Sequence, residues 1–185
     1  MSLGDQFDSV LRSAQTGAGW ALGELYRDLH PRVRGYLYAR EPREAEDLAC
    51  DVWLDVARAL DRFTGDEAAL RGWVFTIAKR RLVDFRRQQA SRRTTPEPLD
   101  GLVPHGGVGD VEDEALVALG TDAALARIAA LPPDQAEVVL LRVLGDLSVQ
   151  QVATIIDKSP GAVRALQLRA LRRLARTTSR EAVTE

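Results

Sequence analysis

The stretch that decides the fold lies at residues 136–164 and reads AEVVLLRVLGDLSVQQVATIIDKSPGAVR. Two serines stand where helices should begin, because Ser148 and Ser159 are good N-caps and a proline after Ser159 suits the first helical position. Asp157 occupies the turn between these helices, and aspartate tolerates a left-handed backbone better than most residues. Ala153 is small enough to let the two helices cross closely. The stretch therefore predicts a helix-turn-helix.

The second helix of this motif is basic. Seven bases and no acid lie between Lys158 and Arg180. Apolar residues recur at three- and four-residue spacing along it, and we expect Leu168 to face the core with them. A capped basic helix of this kind suits a DNA major groove. A helical hairpin with a solvated basic face is the alternative interpretation.

The composition favours helices and a reducing compartment. The chain has 185 residues, of which 45% are hydrophobic and 5% aromatic, a mixture typical of helical proteins. The single cysteine, Cys50, excludes an internal disulfide and fits the cytoplasm. We find no signal peptide or membrane span and expect no membrane insertion. Two histidines and one cysteine offer no metal-ligand cluster, and we expect neither a metal nor a cofactor.

The net charge of −2 hides a strong alternation of charge along the chain. Residues 41–67 contain nine acids and three bases, whereas residues 79–93 contain seven bases and one acid. Residues 94–122 contain seven acids and no base, and they are followed by the basic helix described above. Basic segments suited to nucleic acid thus alternate with acidic ones.

The chain divides into two helical blocks, residues 5–93 and 122–178, around a linker at residues 94–121 that is rich in proline and glycine. No strand pattern or internal repeat is present, so we predict an all-α fold of two small domains. About 30 flexible residues span only about 30 Å on average, so the domains are expected to lie close and able to fold onto each other. In the first block, helical spacing of apolar residues covers 17–39, 42–60 and 69–89.

Five motifs in this order resemble the bacterial extracytoplasmic-function (group 4) sigma factors, which keep conserved regions 2 and 4 joined by a linker. The similarity covers residues 21–176. It departs from the family at Asp157, where glycine is usual, at Ala165–Leu166, where Ser-Arg is frequent, and at Lys79–Arg80, where many members read Arg-Asn. The motifs are EDLACDVW (46–53), ALDRF (59–63), LRGWVFTIAKR (70–80), ALPPDQ (130–135) and SPGAVR (159–164).

The resemblance implies a two-domain protein that binds core RNA polymerase and directs it to promoters, without catalysing a reaction. It implies an anti-sigma protein as a further partner. It also implies that the acidic linker threads the polymerase, where carboxylates imitate a polyanion; otherwise the linker is a plain tether. Both interpretations predict disorder of the linker in the free protein.

The helix at 42–60 carries acids every four residues, at Asp47, Asp51 and Asp55, so they lie on one face. A solvated acidic stripe is one interpretation. The resemblance implies that Asp47, Cys50 and Asp51 instead contact the clamp helices of the largest polymerase subunit. Cys50 is interpreted as a small neutral residue of that surface.

For the −10 element, the resemblance implies capture of a flipped base by the loop at residues 61–66, where glycine permits close approach. A basic face on the following helix would hold phosphates. We expect Trp73 to be core, whereas Phe75 is left open between core packing and base stacking. The candidate residues are Asp61, Arg62, Phe63 and Thr64 in the loop, and Lys79, Arg80, Arg86 and Arg87 on the helix.

For the −35 element, the resemblance aligns Arg164 and Arg169 with base-reading positions. Arginine can pair bidentately with guanine, while Arg172 and Arg173 lie further along and are expected at phosphates. For Leu168, the alternative to a core position is a contact with a thymine methyl group. The remaining candidates on this surface are Ser159 and Ala165.

Two other classes of function fit parts of the sequence. A stand-alone helix-turn-helix regulator with an N-terminal helical interaction domain would bind duplex operators as a dimer. The acidic block at 41–67 counts against it, because it lacks a heptad seam. An enzyme is a more distant alternative, since no set of nucleophile, base and orienting group is present.

Overall fold

The computed structural model describes residues 3–94 and 123–181, with side chains described for residues 3–92 and 123–176. The predicted linker beyond residue 94 lies outside the described residues. Four helices build the first block: α1 Phe7–Gln15, α2 Gly19–Tyr38, α3 Ala45–Ala59 and α4 Glu67–Thr94, with short 3₁₀ turns at Gly4–Gln6 and Leu60–Arg62.

The second block contains four further helices, and the described residues hold no strand, which confirms the all-α prediction. None of the described helices is long and apolar enough to span a membrane. The helices are α5 at 123–129, α6 Pro133–Val143, α7 Val149–Ile155 and α8 Pro160–Glu181.

Helix α1 was not among the predicted segments. Its buried residues Phe7, Val10, Leu11 and Ala14 have helical spacing, but a nine-residue segment is too short to stand out by periodicity alone. Helix α3 begins three residues later than the predicted segment, because residues 42–44 form a turn. The other predicted segments agree with the structure to within a few residues at each end, except that α4 runs on to Thr94.

Two aromatic side chains pack together in the first block's core. Tyr36 and Phe75 are fully buried and meet edge to face, with ring centroids 5.7 Å apart. Phe75 is therefore a core residue and not a platform for bases. Trp73, expected in the core, is half-buried and packs at its border against Phe63, 5.2 Å away between centroids.

The two blocks pack directly on each other and share one continuous hydrophobic core. Buried residues of the second block, such as Leu141 and Val152, belong to the same cluster as those of α2 and α4. Gly72 permits the closest approach, since a Cβ there would lie only 2.9 Å from Gln151 Nε2 and that side chain would have to shift, whereas a Cβ on Gly35 would make an ordinary 3.5 Å contact with Leu144 Cδ1. The expectation that the blocks can fold onto each other is met in this structure.

Candidate polymerase and nucleic-acid interfaces

The outer face of α3 is acidic and exposed. Asp47, Cys50 and Asp51 all face solvent, while Leu48, Val52 and Val56 on the opposite side are buried. Leu54 is 47% exposed and lies one helical turn beyond Cys50 on the same face. Sequence reasoning missed Leu54, because an isolated leucine in an amphipathic segment is ordinarily assigned to the core.

An aromatic group adjoins this acidic face at the boundary of α2 and α3. Tyr26 stacks on His30, with centroids 4.4 Å apart, and lies 4.9 Å from the Trp53 ring. Burial, followed by the charge of Glu46, raises the pKa of the Tyr26 phenol, and burial lowers the pKa of His30. We therefore expect His30 to be neutral at physiological pH, so it adds no positive charge to the acidic surface.

Asp55 differs from the other two acids of its row. Its carboxylate accepts two hydrogen bonds from Arg81, at 2.7 and 2.5 Å, and one from Arg80 at 3.3 Å. These bonds, those of Arg81 first, lower the pKa of Asp55. The acidic row is thus divided: Asp47 and Asp51 face solvent, while Asp55 fastens α3 to α4.

The loop at residues 61–66 is braced from inside and polar outside. The Gln15 side chain donates to the carbonyl oxygens of Leu60 and Phe63, at 3.0 and 2.7 Å. Gly65 has φ +148, and a Cβ there would lie 2.8 Å from Ala69 Cβ, so only glycine fits. Phe63 is half-buried, which leaves Asp61, Arg62 and Thr64 as the exposed candidates.

The four basic residues of α4 that were expected to form a face lie in two adjacent rows, and each is paired with a carboxylate of the protein. Residues seven apart lie on the same side of a helix, and adjacent residues lie about 100° apart, so Lys79 and Arg86 form one row and Arg80 and Arg87 another. Arg86 pairs with Glu41 at 2.7 Å, and Arg80 pairs with Asp55. Arg87 is widely exposed and lies 3.9 Å from Asp84.

Lys79 is engaged by the second block. Its ammonium lies 2.9 Å from Glu137 Oε1, and that carboxylate also accepts a hydrogen bond of 2.7 Å from the Tyr36 hydroxyl. Arg40 lies 3.2 Å from Glu137 Oε2. Burial, and then the neighbouring charge of Glu137, hold the pKa of Tyr36 well above its usual value. We call these four residues the Glu137 cluster; sequence reasoning gave no role to Glu137.

The helix-turn-helix has the predicted caps. Ser148 and Gln151 form a capping box at the start of α7, and Ser159 Oγ accepts from the Ala162 amide at 3.2 Å. Asp157 adopts the left-handed backbone, with φ 52. All six candidate residues of the −35 surface are exposed: Ser159, Arg164, Ala165, Arg169, Arg172 and Arg173.

The prediction that Leu168 is a core residue is wrong. Leu168 is 49% exposed and Leu171 is 50% exposed, whereas Val163, Leu166 and Ala170 make the buried side of α8. The helix packs with a narrow stripe of contact, so residues at 168 and 171 fall outside it. Leu168 and Leu171 therefore lie beside the exposed arginines of α8, and not on the opposite side of the helix.

Comparison with known proteins agrees with this architecture. Residues 25–92 match the family described as Sigma-70 region 2, and residues 121–174 match Sigma-70, region 4. The ECF RNA polymerase sigma factor ShbA of Streptomyces griseus is 34% identical over 180 residues, covering 90% of this chain and 92% of ShbA. The chain belongs to the ECF RNA polymerase sigma factors. The prediction of a sigma factor acting in promoter-directed transcription is confirmed.

Two further similarities place this sigma factor among its relatives. It is 34% identical over 171 residues to the ECF RNA polymerase sigma factor BldN of Streptomyces coelicolor, and it spans 64% of the length of BldN. The solved structure of CnrH in complex with the cytosolic domain of CnrY has the same fold, with a TM-score of 0.60 and 19% identity over 95% of this chain and 98% of that chain.

We predict that Asp55→Asn lowers the free energy of unfolding at pH 7 by about 1–2 kcal/mol, because it removes charge-assisted hydrogen bonds that are still partly hydrated. The folded-state pKa of Asp55 is depressed, so its contribution is present above the unfolded pKa of about 3.9 and is lost as pH falls through the folded pKa. Urea unfolding across this pH range measures the effect. Asp47→Asn is the exposed control; equal losses for both variants would contradict the role of Asp55.

Proposed function

We propose that this sigma factor binds core RNA polymerase through the outer face of α3 and reads promoter DNA with the 61–66 loop and α8. It supplies binding alone and catalyses no reaction, and it acts in the cytoplasm. The observation that carries the proposal is the exposure of these three surfaces: an acidic one, a braced polar loop and a capped basic helix. We assign residues 5–93 to region 2, 94–121 to the linker and 122–178 to region 4.

The α3 surface suits a protein partner better than DNA. Asp47 and Asp51 repel phosphates and favour a basic partner, which gives selectivity. Cys50 and Leu54 provide uncharged contact area between and beside the carboxylates. Charged groups at the rim of an apolar centre are typical of a reversible protein interface.

The 61–66 loop suits an unstacked base of the −10 element. Its shape is held by Gln15 and by Asp66, whose Oδ1 accepts from the Ala69 amide at 2.7 Å. A preformed loop loses little conformational freedom when it binds, so more of the contact energy remains for affinity. Asp61, Arg62 and Thr64 would contact the base, and Phe63 would support it from beneath. The lysine and arginine side chains of α4 would hold the phosphates once their present carboxylate partners release them.

The exposed side of α8 suits the major groove of the −35 element. Arg164 and Arg169 are five residues apart and point about 140° apart around the axis, so they read different base steps. Ser159 and Ala165 lie at the N-terminal end of the helix, which enters the groove first. Arg172 and Arg173 would meet phosphates.

We expect a further protein to control this sigma factor, because CnrH is bound in its solved structure by the cytosolic domain of CnrY. An anti-sigma partner of this chain would compete with core polymerase for region 2 or region 4. The exposed apolar residues Leu54, Leu168 and Leu171 offer contacts for such a partner.

In vitro transcription tests the proposal. Core polymerase with this protein should initiate at discrete promoters, selected from genomic fragments of the source, and neither component alone should do so. Tight binding of duplex DNA by the free protein, without any transcript, would instead identify a stand-alone regulator.

We predict that Arg164→Ala with Arg169→Ala abolishes selective initiation while core binding stays near normal. Each bidentate base contact is worth roughly 1–3 kcal/mol of discrimination. Run-off transcription and a pull-down with core enzyme measure the two effects separately. Arg12→Ala, an exposed arginine of α1, is the control. Initiation at the wild-type level by the double variant would show that the recognition face is misassigned.

We also predict that Asp47→Lys with Asp51→Lys weakens core binding and leaves the fold intact, since both side chains are exposed. Circular dichroism reports helicity, and a pull-down reports binding. The control Asp5→Lys with Asp8→Lys changes the net charge equally at exposed positions of the N-terminal segment. Wild-type binding by the α3 variant would instead support the interpretation that this face is a solvated acidic stripe without a role in docking.

A further inference from the structure

The Glu137 cluster lies between the two blocks and is almost fully removed from water. Glu137 belongs to α6 and is 4% exposed, while its three partners all come from the first block: Tyr36, Arg40 and Lys79. A buried carboxylate is stable only when opposite charges or donors surround it. The contact therefore fixes how region 4 lies on region 2.

A second contact fixes the same arrangement at α7. Gln151 Nε2 donates to the Ala68 carbonyl oxygen at 2.7 Å, while Gln151 Oε1 accepts from the Ser148 amide at 2.8 Å. Gly72 leaves room for this side chain. The residue that caps α7 thus also ties it to the start of α4.

This closed arrangement cannot place both reading surfaces on one promoter. Ala68 is the second residue after the 61–66 loop, and Gln151 is thirteen residues before Arg164. Even a straightened path from Asp66 through this contact to Arg164 covers no more than about 45 Å. The two promoter elements, roughly 20 base pairs apart, require about 70 Å at 3.4 Å per base pair.

From these contacts we propose that the Glu137 cluster is an intramolecular latch: it holds the free protein closed, and core polymerase must open it before initiation. The inference rests on the proposed function. It adds that Glu137 and a phosphate of the −10 element compete for the Lys79 ammonium, because this group is bound to Glu137 while the latch is closed. An ionic latch is suited to reversal, since both partners regain hydration when they separate and the net cost of opening is smaller than for a purely apolar contact.

A reversible cross-link tests the latch. A Cβ on Gly72 would lie 3.7 Å from Gln151 Cγ, and the Cβ of Gln151 is one bond further along that side chain. The two Cβ atoms therefore lie between 3.7 and about 5.2 Å apart, which overlaps the range of about 3.5–4.5 Å for disulfide-linked Cβ atoms, so Gly72→Cys with Gln151→Cys should oxidise in the free full-length protein. A Cys50→Ser background removes the native thiol. The oxidised form should give about tenfold less run-off transcript than the same protein after reduction, because it has no open fraction.

Variants of the cluster test its specific role. In the same two-cysteine chain, Glu137→Gln should slow cross-linking about tenfold, because it leaves Lys79 and Arg40 without their counter-charge. Tyr36→Phe removes one donor, keeps the packing and should slow cross-linking less, so it serves if Glu137→Gln fails to fold by circular dichroism. Glu24→Gln, which loses an exposed pair with Arg27, is the matched control.

Three outcomes would overturn the latch: failure of the two cysteines to oxidise in folded protein, full activity of the oxidised form, or unchanged cross-linking in both cluster variants. These outcomes are separable from failure of the proposed function. Cross-linking of the free chain reports the closed arrangement without any transcription, whereas loss of transcript from the reduced two-cysteine chain and from wild type alike would count against the sigma-factor role.

Discussion

The buried carboxylate of Glu137 is the interaction on which the arrangement of the two blocks depends. Apolar packing between α2, α4, α6 and α7 favours contact but does not fix direction, because the hydrophobic effect is non-directional. A buried charge does fix direction, since it is tolerated only where its donors converge. Tyr36 of α2, Arg40 in the turn after α2 and Lys79 of α4 converge on it, so the second block can sit there in one orientation.

Helix α4 has three separate duties, which it divides among its sides. One side carries Phe75 and Leu82 into the core, a second gives Arg81 to Asp55 on α3, and a third gives Lys79 to α6. Most of its cations are therefore already neutralised by protein carboxylates. The proposed association with phosphates would therefore be an exchange of partners, and it would be correspondingly sensitive to salt and to domain position.

The sequence predicted most of the local structure and less of what lies between elements. Ser148, Ser159 and Asp157 act through their own backbone surroundings, so their roles can be read from a few neighbouring residues. The pairing of Glu137 with Tyr36 spans 101 positions along the chain, and no local pattern encodes such a contact. The exposure of Leu168 was not predicted for a related reason. Helical spacing shows which residues share a side of α8, but how much of that side is buried depends on how α6 and α7 pack against it.

The bracing of the 61–66 loop separates the residues that hold its backbone from the side chains that face outward. Gln15 grips the loop by the carbonyl oxygens of Leu60 and Phe63, atoms that every amino acid possesses. The outward side chains at 61, 62 and 64 contribute nothing to that grip, so they are free to vary while the backbone keeps its form. If these side chains contact the base as proposed, one or two substitutions in a gene duplicate would change its preferred base without loss of the fold. The residues that hold the loop in shape are therefore different from those proposed to contact the base.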